Sequence, residues 1–324
     1  LCAICGYASS RFIPAAAATD PAIKVNLNPV TETVDILRGM FKQPAGVVQS
    51  IFGVAWFYFL GGVFMAQMPN YTNEKLGANE HVLAFFLVIF SLGIAVGGLL
   101  NNKLLRGRVE AVYVPLASLG ITIFGIDLYF ASGANQVNPF GELIGLGAFL
   151  SDISNWRILF DIGMIALCGG LFVVPLNAII QHYTDAKIKA RVLAGSAIFN
   201  SLFIVASSAL SAMLIVAGWE VREMFLALAL VNALGALYAC MLLPDYLFKT
   251  IMQGIFKTLY KVEVIGLENV EKAGPRAVIV GNHVSLLDPP LLAAFLPGRP
   301  MFAVNSFVAN CKWVKPFLKL VDAF

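Results

Sequence analysis

The stretch GSAIFNSLFIVASSALSA, residues 195–212, decides the fold. It carries no charged side chain, and its polar positions are serines and a single asparagine. A helix crossing a hydrocarbon core needs ~20 mostly apolar residues, because it must satisfy its backbone polar groups within itself. Small residues at this density also let helices approach closely in lipid, where packing rather than water exclusion drives association. Working outward, SLGIAVGGLL (91–100) repeats the pattern. Six stretches qualify as spans, roughly 46–68, 82–100, 111–131, 157–181, 191–217 and 222–243. Residues 1–18 read as the tail of a further span and 19–45 as a loop.

Composition agrees. Of 324 residues 59% are hydrophobic and only 13% charged, with mean hydropathy +0.81; soluble domains average about 25% charged residues. A polytopic membrane protein is the class implied. The formal net charge of +3 comes from dispersed residues, so a nucleic-acid partner is not expected. Cys2 and Cys5 have C-x-x-C spacing, but no second Cys or His pair completes a zinc site, so no metal is expected. The chain opens on Leu1 rather than Met and stops on KPFLKLVDAF, which reads as a fragment cut at both ends.

Loop charges give orientation, because Lys and Arg prefer the cytoplasmic side. One set of connections holds Lys24, Arg38 and Lys42, then Lys103, Arg106 and Arg108, then Lys187, Lys189 and Arg191. Lys249, Lys257 and Lys261 follow the last span, whereas the alternate connections hold only Lys75, Arg157 and Arg222. The 19–45 loop and everything after residue 244 should therefore be cytoplasmic.

Beyond Pro244 the pattern changes. Residues 244–258 have apolar side chains near helical spacing with lysines between them, which suits either an interfacial amphipathic helix or a plain linker. YKVEVIG (260–266) and RAVIVGN (276–282) read as strands around the turn-like LENVEKAGP, PPLLAAFLP as a short helix and MFAVNS as another strand. A small α/β domain is expected over 259–324.

The chemistry sits in GNHVSLLD, residues 281–288. A histidine suits general-base work, and a carboxylate on its other ring nitrogen fixes the tautomer and stabilises the imidazolium. His283 and Asp288 are the catalytic candidates, with Gly281 permitting close backbone approach and Asn282 supporting the loop. No serine or cysteine stands in a nucleophile setting, so the pair would activate an incoming substrate hydroxyl. The alternative is structural: Asp288 before Pro289 makes a good helix start, with Asp as N-cap and Pro at N1.

The N-H-x-x-x-x-D pattern after an apolar strand resembles the first motif of the glycerolipid acyltransferases. That resemblance implies that His283 deprotonates a glycerol hydroxyl, which attacks an acyl thioester, and that Asp288 orients the histidine. FAVNSFVANCKWVKPFLKLVDAF (302–324) resembles the next segment of the 2-acylglycerophosphoethanolamine acyltransferase branch. FLGGVFMAQMPNYTNEKLGANEHV (59–82) and RGRVEAVYVPLASLGITIFGIDLYFAS (106–132) resemble the second half of the bacterial lysophospholipid transporters of the major facilitator superfamily. GGLLNNKLLRGR (97–108) is a loose version of that superfamily's loop motif, with Asn101 where an acid usually stands.

These resemblances imply a mainly α, polytopic helix bundle, the C-terminal half of a major facilitator fold, leading into a cytoplasmic α/β acyltransferase domain. They also imply a multi-pass protein of the bacterial inner membrane that moves lysophospholipid and re-acylates it. The acyl donor would be an acyl-carrier-protein or coenzyme A thioester, with no bound cofactor. Acyl carrier protein, membrane lipid and an N-terminal transporter half would be its partners. The alternative is a transporter of another substrate with a non-catalytic or lipid-binding tail.

Polar residues within spans are costly and often functional. Asn200, Asn232 and Asp127 are candidates for the transport path, although each asparagine could equally hydrogen-bond a neighbouring helix. Asp127 lies close enough to the end of its span to snorkel. Arg157 and Asp161, four apart, are expected to form a local helix ion pair. Pro175, followed by Asn177, suits a kinked helix, and QMPNYT (67–72) an outer gate or a capped turn.

Overall fold

The computed structural model describes residues 2–12, 28–105, 109–134, 143–242, 244–274, 277–282, 284–285, 287–296 and 301–302. These are mainly helical: α1 (Cys2–Ser10), α2 (Pro29–Phe41), α3 (Ala45–Asn70), α4 (Glu80–Leu105), α5 (Val114–Ala131), α6 (Leu146–Ser151), α7 (Ser154–Tyr183), α8 (Lys189–Val216), α9 (Val221–Leu242), α10 (Pro244–Leu259), α11 (Leu267–Ala273) and α12 (Asp288–Phe295). Among the described residues five helical segments are long and apolar enough to cross a membrane: Ala45–Lys75, Glu80–Leu105, Val114–Ala131, Ser154–Tyr183 and Lys189–Val216. The sixth expected span coincides with α9, a helix of 22 residues.

The chain divides into two compact units, one of 1–62 with 176–209 and the other of 63–175 with 210–324. In the first unit a helix occupies part of the expected 19–45 loop. Asn28 starts α2: its Oδ1 accepts from the Val30 amide at 3.0 Å and the Thr31 amide at 3.4 Å, with Pro29 at the first helical position. Glu32 accepts from Arg191 of α8 at 2.5 Å, and Met40 is fully buried. A methyl group on Gly195 would lie 3.1 Å from Ile36 and 3.3 Å from Met40, so the glycine sets how closely α2 lies on α8. Phe199 meets Phe41 and Phe52 edge-on at 5.5 Å and 5.2 Å, the arrangement aromatic quadrupoles favour.

In the second unit the tightest approach is α4 against α7. Methyl groups on Gly93 and Gly97 would strike Ala166 and the backbone at Gly163 and Leu167, and one on Gly170 would strike the Ile94 carbonyl. The glycine spacing of four puts both α4 positions on one helix face, as in close helix pairs in lipid. α5 lies along α9, with Gly125 against Ala229. Phe64 stacks on Phe225 at 4.5 Å. Pro69 lies inside α3 and the helix passes into a π-helical turn at Tyr71–Lys75; a proline that removes a backbone donor is a recognised cause of such irregularity. QMPNYT thus continues the helix rather than ending it. Within that turn Tyr71 is buried, and its hydroxyl lies 2.5 Å from Ser132 Oγ.

The α/β expectation for 259–324 is not met among the described residues. Residues 261–266 and 277–282 are irregular, 301–302 likewise, and LENVEKA forms helix α11 instead of a turn. Gly266 and Gly274 flank α11 at φ +79° and +78°, the left-handed conformation that suits glycine. A strand is stabilised through a partner's ladder and cross-strand packing. Here no backbone hydrogen bond joins 261–266 to 277–282, and Val278 and Val280 are 90% and 89% exposed. Short apolar runs were the sequence signal, and they do not supply a partner.

Candidate functional site

α10 and α12 build the base of the site. Gln253 Nε2 donates to Ala294 O and Lys249 Nζ to Leu296 O, both at 2.7 Å, so α10 satisfies carbonyls at the α12 C-terminus that the helix itself leaves open. Phe256, Ala293 and Ala294 are buried, and Lys257 sits 5.9 Å from the Phe295 ring centre. The amphipathic character read at 244–258 therefore serves, at least on one face, to seat α12. Leu259 and Tyr260 remain largely exposed.

The turn preceding α12 is tied by Asp288. Its Oδ2 accepts from the amides of Val284 and Ser285, each at 2.8 Å, and Ser285 Oγ accepts from the Leu287 amide at 3.1 Å. The Asp288 amide donates back to Ser285 O at 3.1 Å, closing the turn. Asp288 is thus the first residue of α12, with Leu287 in the cap position. Its carboxylate reaches backward instead of capping its own helix as expected, and it grips the two backbone amides that directly follow His283. Charge-assisted bonds of this length are the stronger kind. His283 itself lies outside the described residues. Gly281 and Asn282 are exposed, and among the described residues a methyl on Gly281 would meet open space.

Replacing Asp288 with alanine should free both amides, a loss of about 1–3 kcal/mol of local stabilisation. Hydrogen exchange at Val284 and Ser285 should quicken while protection of α5 and α9 stays unchanged.

The polar residues of the spans sort differently from expectation. Arg157 does not pair with Asp161, four residues along its own helix. It forks onto Asp127 of α5, with Nε 2.9 Å from Oδ2 and a terminal nitrogen on Oδ1. Both residues sit near the ends of their helices, close enough in depth for the pairing to have been inferred from the predicted spans. Asp161 is fully buried, and among the described residues neither of its carboxylate oxygens meets a hydrogen-bond donor. Asn232 is spent between helices: its Nδ2 donates to Ser118 O at 2.9 Å and Thr122 Oγ1 at 3.0 Å, and its Oδ1 accepts from Ser118 Oγ at 3.4 Å. In the first unit Asn200 has a buried Oδ1 with no hydrogen-bond partner. Asn101 is buried on α4, not in a loop.

Sequence reasoning missed Lys249 and Gln253 as supports of α12. Their spacing of four on an amphipathic helix, facing a second short helix, was the available signal. Among the described residues no group of three or more His, Cys, Asp or Glu gathers as a metal site.

Helices able to cross a membrane, followed by a short helical segment presenting a carboxylate-clamped turn, define a membrane protein with an appended domain. The character of that domain is given by comparison: the family model of the acyltransferases matches residues 261–324. No solved structure matches the chain. The C-terminal segment thus carries an acyltransferase domain, and the match includes the whole His283–Asp288 turn.

Proposed function

We propose that the protein remodels phospholipids in the bacterial inner membrane. Its helices form the C-terminal half of a major facilitator transporter that moves lysophospholipid to the cytoplasmic leaflet, and the acyltransferase domain re-acylates it there. The observation that carries the enzymatic half is the Asp288 clamp on the amides following His283, inside a segment matched by the acyltransferase family.

His283 acts as the general base. It takes the proton of the free glycerol hydroxyl as that oxygen attacks the carbonyl carbon of the acyl thioester. The tetrahedral intermediate collapses, the carbon–sulfur bond breaks, and the departing sulfur takes the proton back from the imidazolium. The products are diacyl phospholipid and the free thiol of acyl carrier protein or coenzyme A. Such general-base assistance contributes ~10²–10⁴-fold. Asp288 stabilises the imidazolium and holds the loop that carries it. Gly281 and Asn282, both exposed at the mouth of the turn, receive the substrate. Of the residues considered for a transport path, Asn200 is the best candidate, because its side-chain oxygen is buried and unpartnered; Asn232 and Asp127 already hold neighbouring helices.

Tethering the two activities raises the effective concentration of the moved lipid at the second site. Full-length protein in liposomes should carry labelled lysophospholipid across the bilayer at a rate well above that of protein-free vesicles. Acylation without movement would reduce the helices to an anchor, and movement without acylation would leave a transporter with a lipid-binding tail.

A further inference from the structure

We propose that Asp161 is a proton-binding site whose occupancy decides whether Arg157 ties α7 to α5. The inference goes beyond the lipid-remodelling reading and does not require it. Asp161 lies seven residues into α7, roughly 10 Å from the helix start at 1.5 Å per residue. It is fully buried by protein atoms, and among the described residues neither carboxylate oxygen meets a hydrogen-bond donor; the polar group beside it is the Asp127 carboxylate. A buried carboxylate left charged and unbonded is among the costliest arrangements a protein can hold, and the ordinary escape is to take up a proton.

The surrounding charges lead to the same assignment. The groups that face Asp161 are Asp127 on α5, Arg157 one turn back on α7, and Tyr71 in the π-helical turn. The Tyr71 hydroxyl is engaged with Ser132 at 2.5 Å. In the first turn of α9, Arg222 pairs with Glu220 at 2.8 Å and lies over the Tyr129 ring, so it is committed elsewhere. Two carboxylates therefore share one guanidinium, leaving an excess negative charge that one proton removes. Like charges at close range cannot both ionise cheaply. Asp127 accepts two bonds from Arg157 and Asp161 accepts none, so the proton resides on Asp161. A bound metal cation is disfavoured by the neighbouring guanidinium.

Loss of the proton changes the balance. Arg157 and Asp161 are four apart on one helix face, the spacing at which side chains meet. A charged Asp161 draws the guanidinium from Asp127 and releases the α5–α7 tie. The proton leaves through Asp127, whose side chain is 36% exposed.

Infrared difference spectra of the full chain in lipid nanodiscs, recorded as pH is raised from neutral, test this without any lipid movement. The wild type should show the carbonyl stretch of a protonated carboxyl group disappearing as pH rises. Asp161→Asn should lack it, and Arg157→Gln should keep it to higher pH, since no guanidinium then competes for the carboxylate. Absence of the band at neutral pH, or its persistence in Asp161→Asn, overturns the proposal. If a variant fails to fold, wild-type protein treated with a hydrophobic carbodiimide, which adds to protonated buried carboxyls, provides the second measurement. Labelling of Asp161 that falls as pH rises supports the site, and labelling that omits Asp161 refutes it.

Discussion

Replacing His283 with alanine in the full-length protein is expected to lower acyl transfer by about 10²–10⁴-fold, the usual contribution of a positioned general base, with lipid movement and folding unchanged. The effect should fall on turnover rather than on substrate affinity. The imidazole acts on the proton that moves in the transition state, whereas affinity is spread over the lipid and the thioester. The stability of the turn should survive the substitution, because the Asp288 clamp engages the backbone amides of Val284 and Ser285 and not only a side chain. A variant that acylates at the wild-type rate would remove His283 from the mechanism, whatever the family match.

The second large effect is expected at Gly97. A valine there would drive its side chain into the Leu167 carbonyl and the Leu171 amide of α7. Overpacking usually costs ~1–3 kcal/mol and sometimes more. Here the obstacle is backbone rather than a flexible side chain, so the cost should be about 3 kcal/mol or above, seen as loss of folded, monodisperse protein. Gly61, also within a helix, meets open space. Alanine at that position should be neutral or stabilising by up to about 1 kcal/mol, following intrinsic helix preference. Thermal unfolding in detergent compares the two variants. Equal stability of Gly97→Val and wild type would mean that α4 and α7 are not in backbone contact.

The contrast between these glycines shows what was legible in the sequence. Hydrophobic length marked the long helices, because a span must satisfy its backbone alone and so announces itself locally. Small-residue density at 91–100 and 195–212 announced close packing, which α4 realises against α7. Partner choice was not legible. Arg157 had Asp161 at the right local spacing, yet it pairs with Asp127 on another helix, since three-dimensional depth outweighed sequence distance.

The strands expected around 260–266 and 276–282 are not seen among the described residues, for a related reason: an apolar run describes a surface, whereas a strand exists through its partner. Helix α11 formed within a stretch read as a turn, bounded by Gly266 and Gly274 in left-handed conformation. At the candidate site the motif named the residue types, and the structure added what Asp288 holds. The N-cap reading placed its carboxylate on the wrong amides, because Leu287 rather than Asp288 precedes the first helical residue.

In the proposed function one chain passes a lysophospholipid from transport to acylation. Sealed vesicles holding the full-length protein in a single orientation, with lysophospholipid only in the leaflet opposite the acyltransferase domain and thioester donor only on the domain's side, test it directly. Diacyl product should form at a rate far above that of vesicles lacking the protein. Product that forms only when lysophospholipid is supplied on the domain's own side would contradict it.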